Sequence, residues 1–354
     1  MAIEITFVVI LCSLVFNLIS VESFPEKQPR ISITTDNGQK YNCVSFYKQP
    51  AFGDPSLNLE VVPNLVKLQQ QRNASEIGFK TRKCPIGTVP ILDRSKQHVE
   101  DVPPVHPYPP PSPEQHCSAR VQTRANDPNK KFFGAGAAIV IYKPVVQASQ
   151  WSSARIKISN GGESIEAGWM VNPQEFKDME THFYASFRAG GKGCINTDCA
   201  GFVQVAPDFP LGIIPHAYST KKQQLAWSIS IDKHQDDGHW WLSVKGSVVG
   251  YWPKNLFTTL KDVANQVEFG GEINDPGAIS PAPWMGNGSK AVYNTQDSSC
   301  FRRSTVVDAS FQHVNPPDTE KFADCEALYS VLDGGYQNNP DLGRLIFYGG
   351  PFNG

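Results

Sequence analysis

The chain has 354 residues, which is enough for two domains and a sizeable core. Its formal net charge of −2 and the absence of any long lysine or arginine run argue against a nucleic-acid partner, which would require a basic patch. The 28 glycines and 28 prolines, together with few long helical patterns, predict a β-rich protein with many turns.

The first residues predict a secretory signal peptide over 1–23. Phe7–Ile19 is a largely apolar run of 13 residues, which is short for a membrane span, and polar sequence follows it. Glu4 precedes this run without any lysine or arginine, a departure from the usual signal peptide, so a membrane anchor stays open as the alternative. We expect a secreted protein with no stable membrane anchor after signal cleavage.

A proline-rich stretch divides the rest of the chain. Residues 102–115 include seven prolines between 103 and 113, a composition that favours an extended linker. The preceding residues, 24–101, contain two extended pieces that a disulfide could join. They form either a stabilising subdomain or a removable pro-segment. The following residues, 116–354, alternate between short strands and turns and predict an antiparallel β-sandwich.

Nine segments of 116–354 have the pattern of strands, and one has the pattern of a helix. The predicted helix follows Pro253, because Leu256, Leu260 and Val263 recur at helical spacing. The predicted strands are Ala135–Lys143, Ala154–Ser159, Glu163–Met170, His182–Phe187, Gly201–Val205, Leu225–Ile231, Trp240–Lys245, Val267–Ile273 and Leu342–Tyr348.

Two carboxylates on these strands are candidates for chemistry. Glu166 and Glu272 each have glycine and apolar neighbours, and burying an unpaired carboxylate is costly unless the group is ion-paired, protonated or used. Two acids in one cleft repel each other, so one keeps its proton at a pH where the other has lost it. Such a pair can serve as general acid and general base. Glu268 falls on the same strand face as Glu272 and is a rival. An ion-paired structural glutamate is the alternative for each.

Aromatic side chains form a second group of candidates. Most tryptophans in a β-sandwich belong to the core, but some can line a cleft that binds a peptide or a sugar chain. Nucleophilic serine catalysis is not indicated, because the chain has no Gly-x-Ser-x-Gly motif. We expect neither a metal nor a cofactor, because it has no His-Glu-x-x-His or phosphate-binding glycine motif. The predicted substrate-binding residues are Trp169, Trp241, Tyr251 and Trp252.

Cysteine usage agrees with an oxidising compartment. Cys12 lies in the predicted signal peptide, and pairing nearest neighbours among the others leaves Cys117 over, although other connectivities fit the sequence. Sequons at Asn73 and Asn287 predict N-glycosylation. The predicted disulfides are Cys43–Cys84, Cys194–Cys199 and Cys300–Cys325.

Ten short motifs and one residue pair along the chain occur in a fixed order. Two motifs fall in the N-terminal region, Tyr41–Phe52 and Cys84–Pro90. The others are Ile165–Trp169, Val171–Gln174, Gly193–Asn196, Cys199–Gln204, Trp240–Leu242, Gly250–Pro253, the pair Leu256–Phe257, Phe269–Glu272 and Tyr348–Pro351. In these motifs the chain resembles the neprosin family, plant secretory proteins with an N-terminal activation domain and a catalytic domain.

The resemblance implies a secreted glutamic endopeptidase, made as a zymogen, that cleaves after proline at acidic pH. By motif, its catalytic glutamates are Glu166 and Glu272 rather than Glu268. The implied partners are a proline-containing peptide or protein substrate and the chain's own pro-domain, 24–101, which as an inhibitor should cover the groove containing both glutamates. The implied location is the apoplast or an acidic secretory compartment.

Two other functions stay open at this stage. The same sandwich could be a non-catalytic secreted module that binds cell-wall glycan or extended peptide without turnover. It could also be a glycosidase, since paired carboxylates hydrolyse glycosides as well. Within the peptidase hypothesis, the sequence leaves the roles of base and acid unassigned between Glu166 and Glu272.

Overall fold

The structure is a computed structural model, and it describes residues 31–55, 69, 83–96, 114–124 and 130–352. The chain separates into a unit of residues 1–30 and a unit of residues 31–354, and only the second is described. The predicted signal peptide, the sequon at Asn73 and most of the proline-rich linker therefore lie outside the described residues. Among those that are described, no helix has the length and apolar character needed to cross a membrane.

The described residues between 31 and 96, called the N-terminal segment below, form a small antiparallel sheet. The predicted disulfide between Cys43 and Cys84 is present, and it joins the middle strand to the turn before the third. The strands are β1 (Ser32–Thr34), β2 (Lys40–Ser45) and β3 (Thr88–Leu92), and short 3₁₀ helices lie at Phe46–Lys48, Pro50–Phe52 and Arg94–Lys96.

Glutamine side chains attach the N-terminal segment to the rest of the protein. The amide oxygen of the buried Gln49 accepts from the backbone N–H of Gln204 at 2.7 Å, and its amide nitrogen donates to the carbonyl of the same residue. Gln69 donates to the carbonyl of Val205 at 3.0 Å, and Gln39 donates to that of Gly212 at 2.8 Å. These bonds tie the N-terminal segment to backbone groups between residues 204 and 212.

The remaining strands form two large antiparallel sheets. One short α-helix, α1 (Pro173–Phe176), and a 3₁₀ turn at Lys254–Leu256 lie between strands. In chain order the strands are β4 (Glu114–Thr123), β5 (Gly134–Val140), β6 (Trp151–Asn160), β7 (Glu163–Val171), β8 (His182–Ala189), β9 (Lys192–Ile195), β10 (Val203–Gln204), β11 (Ala226–Lys233), β12 (Trp240–Val244), β13 (Ser247–Trp252), β14 (Gln266–Pro276), β15 (Ser299–Val307), β16 (His313–Val314), β17 (Thr319–Ala323), β18 (Ser330–Tyr336) and β19 (Arg344–Gly349).

The two sheets pack face to face as the predicted antiparallel β-sandwich. The seven-stranded sheet has the order β17-β4-β14-β6-β7-β8-β9, and the nine-stranded sheet has the order β10-β13-β12-β11-β5-β15-β19-β18 with β16 beside β15. Side chains from both sheets share one core, and the indole nitrogen of Trp169 on β7 donates to the carbonyl of Val140 on β5 at 3.0 Å. The outer face of the seven-stranded sheet is left for polar side chains.

All nine predicted strands contain all or part of an observed strand, but the predicted helix after Pro253 is wrong. Leu260 is fully buried, as the helical pattern required, yet only a 3₁₀ turn forms. The backbone N–H groups of Thr258, Thr259 and Leu260 donate to the carboxylate of Glu163 instead of to helical carbonyls. Two adjacent β-branched threonines also disfavour a helix here.

The predicted disulfide Cys194–Cys199 is present, whereas the predicted Cys300–Cys325 pair is wrong. Cys325 is bonded to Cys117, and Cys300 is buried and unbonded among the described cysteines. The reason is sheet topology. β17 pairs with β4 and brings Cys325 beside Cys117, while Cys300 lies on β15 in the other sheet.

Candidate active site

Arg155 lies at the centre of the polar face of the seven-stranded sheet. On β6 it stands opposite Gly168 of β7 on one side and opposite Gly270 of β14 on the other. Glu166 precedes the first glycine by two residues and Glu272 follows the second by two. Because side chains alternate along a strand, both glutamates point to the same face as Arg155. The two predicted catalytic residues are thus brought together around one arginine.

The Arg155 guanidinium contacts three carboxylates. Its side chain is only 2% exposed, and its Nε lies 3.1 Å from Glu166 Oε2 and 2.9 Å from Glu272 Oε2. Nη2 donates to Glu272 Oε1 at 2.9 Å, and Nη1 lies 3.3 Å from Glu268 Oε2. Burial alone would lower the pKa of Arg155, but the three carboxylates raise it well above its usual value. Arg155 is therefore a permanent buried cation.

The geometry limits the separation of the two candidate carboxylates. Glu166 Oε2 and Glu272 Oε2 each lie within 3.1 Å of the same nitrogen, Nε of Arg155, so they are at most about 6 Å apart. A water molecule within hydrogen-bond reach of two oxygens, at about 2.6–3.2 Å from each, fits between atoms at this separation.

Glu272 is held in its ionised form. Besides the two bonds from Arg155, its Oε1 lies 3.1 Å from His116 Nε2, and its side chain is 15% exposed. Burial by itself would raise the pKa of Glu272, but the charge of Arg155 and the contact with His116 outweigh burial and place that pKa well below its ordinary range. Glu272 therefore remains a carboxylate in acid where most carboxyl groups are protonated.

Glu166 has a different environment. Its Oε1 accepts hydrogen bonds from the Tyr184 hydroxyl at 3.2 Å and from the Ser186 hydroxyl at 3.1 Å, both from the neighbouring strand β8. Burial and then the Glu166 charge raise the pKa of Tyr184 well above its usual value, so this hydroxyl keeps its proton. Glu166 thus receives one cationic and two neutral donors, whereas Glu272 receives donors from Arg155 and His116 only.

The hydrogen-bond pattern leaves one oxygen of each carboxylate free to take a further partner. A carboxylate oxygen accepts about two hydrogen bonds. In both Glu166 and Glu272, Oε1 has two donors within the described residues, while Oε2 has only Arg155 Nε. The two oxygens that can still accept are therefore the two that face each other across Arg155 Nε.

Glu268, the predicted rival, has a different set of contacts. Its Oε2 lies 3.3 Å from both Arg155 Nη1 and Arg120 Nε, and its side chain is only 8% exposed. Two guanidinium groups thus share one of its oxygens. This arrangement is typical of a structural ion pair that holds neighbouring strands together.

Gly168 and Gly270 allow the strands to lie close on either side of Arg155. A Cβ at Gly168 would lie 1.9 Å from the carbonyl oxygen of Ala154, and one at Gly270 would lie 2.3 Å from that of Ala119. Both contacts are with backbone, which cannot rotate away. The glycines in the motifs around Glu166 and Glu272 therefore have a packing role.

The site opens into a cleft of about 940 Å³. Glu166, Glu268 and Glu272 line it, and His116 forms part of its wall. Its apolar and aromatic lining is provided by Trp151, Met170, Tyr184, Phe187 and Ile195.

None of the four predicted substrate-binding aromatics lines this cleft, so that prediction is wrong for this site. Trp169 is on the core face of β7, and Trp252 is fully buried between the sheets. Trp241 and Tyr251 stand opposite each other in the nine-stranded sheet, where the N-terminal segment covers them. The strand pattern alone does not indicate which sheet these residues join.

Sequence reasoning also missed Arg155, His116, Tyr184 and Trp151. A signal was available for Arg155, because it is one of two charged residues, with Lys157, on the polar face of the strand that precedes Glu166 across a tight turn. Such a hairpin places it beside the next strand. The signal for His116 was absent, because its contact with Glu272 joins residues far apart in the chain.

Two other sequence candidates can be placed. The sequon residue Asn287 is half-buried in a turn, where its side-chain nitrogen donates to the carbonyl of Asp297 at 3.1 Å, and its glycosylation stays a prediction. Among the described residues, only Cys117, Asp324 and Cys325 cluster closely enough to suggest a metal site. Both sulfurs are used in the disulfide, so this cluster lacks the thiolates that bind metals.

Two solved structures of scytalido-glutamic peptidase are similar to this chain, one with a transition-state analogue inhibitor and one with a peptide-based transition-state analogue. They share 9% and 10% sequence identity with it and cover 66% of this chain, and 98% and 97% of their own. Their TM-scores of 0.36 and 0.32 are too low to support an argument about this protein.

The sequence relates this chain to a known protein family more firmly than these structural similarities do. The family model of neprosin matches residues 148–351, which include both β7 with Glu166 and β14 with Glu272. The matched region is more than half of the 354 residues. This chain therefore belongs to the neprosin family.

Proposed function

We propose that this protein is a secreted glutamic endopeptidase that cleaves peptide bonds after proline in acid. The observation that carries the proposal is the pair of free carboxylate oxygens, Oε2 of Glu166 and Oε2 of Glu272, on either side of Arg155 Nε. Both glutamates line the cleft of about 940 Å³. Membership of the neprosin family supports the same reaction class.

In the proposal, the two glutamates take different roles, which their environments support. Glu272, whose pKa is held low, is ionised in acid and acts as the general base that takes a proton from water. The oxygen of that water bonds to the scissile carbonyl carbon. Glu166, protonated, gives its proton to the leaving nitrogen as the C–N bond breaks. Proton exchange with solvent then restores both groups.

The proposed base suits a reaction in acid. Glu272 must be ionised to take the proton from water, and Arg155 with His116 keeps its pKa low. The acidic pH range otherwise rests on the family resemblance.

The selectivity for proline and the zymogen state rest on the family resemblance. The N-terminal segment lies beside the cleft: Pro50, Gly53 and Asp54 line a second cavity of about 500 Å³ together with Phe187 and Gly193, and these last two also line the cleft. None of its described residues lines the cleft itself. In the proposal, residues 24–101 inhibit the enzyme until they are removed.

The secretory route is also part of the proposal. The apolar run at 7–19 supports a signal peptide, and the three disulfides of the described residues suit an oxidising compartment. An acidic extracellular or secretory compartment would allow both the protonated Glu166 and the ionised Glu272 that the mechanism requires.

The test is incubation of the full secreted protein at about pH 3 with a peptide that contains proline, followed by mass spectrometry of the products. We expect cleavage on the carboxyl side of proline, and we expect Glu166→Gln and Glu272→Gln each to abolish it while the thermal unfolding curve still shows a folded protein. Glu268→Gln is the matched control, because it also contacts Arg155, and it should retain measurable cleavage. Cleavage by either catalytic variant would refute the proposal.

Two other outcomes would point to a different function. A spacing of at most about 6 Å also suits retaining glycosidases, whose carboxyl groups are about 5–5.5 Å apart, so release of reducing sugar from cell-wall glycan would favour a glycosidase. Binding of glycan or peptide without any cleavage product after acid treatment would favour the non-catalytic binding module.

A further inference from the structure

His116 contacts the proposed general base from outside the arginine cluster. It lies on β4 opposite Asn274 of β14, and its Nε2 is 3.1 Å from Glu272 Oε1. Its side chain is 46% exposed, so it reaches both solvent and the cleft. The ring packs edge-on against Trp151, with centroids 5.8 Å apart. Trp151 therefore helps to hold the imidazole in place beside Glu272, in the wall of the cleft.

The contact with His116 decides which oxygen of Glu272 is free. Arg155 gives one donor to each oxygen of Glu272, a symmetrical arrangement that leaves one acceptor position on Oε1 and one on Oε2. His116 fills the position on Oε1. Only Oε2, the oxygen that faces Glu166 across Arg155 Nε, can then accept a water molecule.

We propose that His116 is a positioning residue for the two-glutamate reaction, which rests on the proposed function. By occupying Oε1, it directs the free lone pair of Glu272, on Oε2, towards Glu166. Glu272 thereby binds and activates water at the one place where Glu166 can also reach the reacting groups.

The charges around His116 support this role. From β14 it faces Glu272 and the neutral Asn274, and from β6 it faces the neutral Trp151. Asp324, which follows β17, accepts from the backbone N–H and hydroxyl of Ser118. Among the described carboxylates, Glu272 is the one that contacts His116, at 3.1 Å.

The test compares His116→Ala and His116→Gln with the wild type in pH profiles of kcat and KM for a proline-containing peptide. The alanine variant should lose about ten- to a hundredfold in kcat with little change in KM, because it loses a bond to a charged group that orients the base. The acidic limb of its kcat profile should move up by about one pH unit, since Glu272 has lost a contact that favours its ionised form. The glutamine variant can still donate a bond and should recover kcat while its acidic limb stays shifted.

His313→Ala is the matched control. His313 is 42% exposed and forms a similar contact with Asp232 at 3.1 Å, but it lies in the other sheet. It should leave the pH profile unchanged. If His116→Ala shows the wild-type kcat and the wild-type acidic limb, the positioning role is refuted.

A second measurement separates this inference from the proposed function. Carbon NMR of labelled glutamate follows the titration of Glu272 without any substrate, and Glu272 should titrate at a higher pH in His116→Ala than in the wild type. A wild type that cleaves no peptide would refute the peptidase proposal. A higher titration pH of Glu272 in His116→Ala would still support control of Glu272 by His116. Unchanged titration in His116→Ala would refute that control even in an active enzyme.

Discussion

Replacing Arg155 by methionine tests the electrostatic account of the site. Methionine keeps much of the volume but leaves three carboxylates without their shared cation. Glu268 keeps Arg120 and Glu272 keeps His116, whereas Glu166 keeps only two hydroxyl donors. Removing one partner from a buried ion pair costs about 3–5 kcal/mol, and we expect a loss of unfolding free energy in that range at pH 7.

The loss should depend on pH in a defined direction. In the wild type the pKa of Glu272 is depressed, so its stabilising contribution is present above the unfolded carboxyl pKa of about 4.3 and is lost as the pH falls through the folded value. In Arg155→Met, buried carboxylates without a cation bind protons at higher pH, so acid relieves their repulsion. The difference in stability between the two proteins should therefore shrink from pH 7 to pH 4.

Urea unfolding followed by tryptophan fluorescence at both pH values is the assay. The control is Arg120→Met, because Arg120 contacts Glu268 alone among the three glutamates. Its other contacts are hydrogen bonds to the neutral Gln122 and Ser118 and stacking on the exposed Phe322 ring at 3.9 Å. It should cost less than half as much as Arg155→Met. A cost below about 1 kcal/mol for Arg155→Met at pH 7, or an equal cost at both pH values, would contradict the reasoning.

Two further predictions concern carboxylates outside the cleft centre. The buried Glu163 accepts from three backbone N–H groups of residues 258–260, which outweigh burial and lower its pKa, so Glu163→Gln should cost about 1–3 kcal/mol at pH 7 and less at pH 3 in urea unfolding. Arg94 of the N-terminal segment binds Glu175 and Asp198, so Arg94→Ala should speed limited proteolysis of that segment. Burial and Asp198 raise the pKa of Glu175 although Arg94 lowers it, and Arg94 also donates to the Glu175 carbonyl, so Glu175→Gln should speed proteolysis less than Arg94→Ala does.

The local parts of the site could be predicted from the sequence. Alternation along Glu163–Met170 correctly separated Glu166 from the core residue Trp169, because the two-residue period of a strand is a local property. The turn at 160–162 also fixed the hairpin between β6 and β7, in which Lys157 stands opposite Glu166. Strand identity and the two faces of each strand therefore follow from short windows of sequence.

The long-range parts could not be predicted in this way. β6 pairs with β14 more than a hundred residues later, and only that pairing brings Glu272 to Arg155. The same kind of contact placed Cys325 beside Cys117 rather than Cys300. Family resemblance identified Glu272 without this information, but it could not identify His116 or the arginine that the two glutamates share.

The choice between Glu268 and Glu272 shows why strand position alone is insufficient. Both lie on the outer face of β14 and both contact Arg155. They differ in the nitrogen they meet: Glu268 binds Nη1 and shares its oxygen with a second guanidinium, whereas Glu272 binds Nε, the atom that also meets Glu166. A water can bridge two carboxylates when a free oxygen of each lies beside the same donor. Among the described residues, Glu166 and Glu272 meet this condition at Arg155 Nε. The catalytic assignment thus depends on the orientation of one guanidinium, which the two flanking glycines allow.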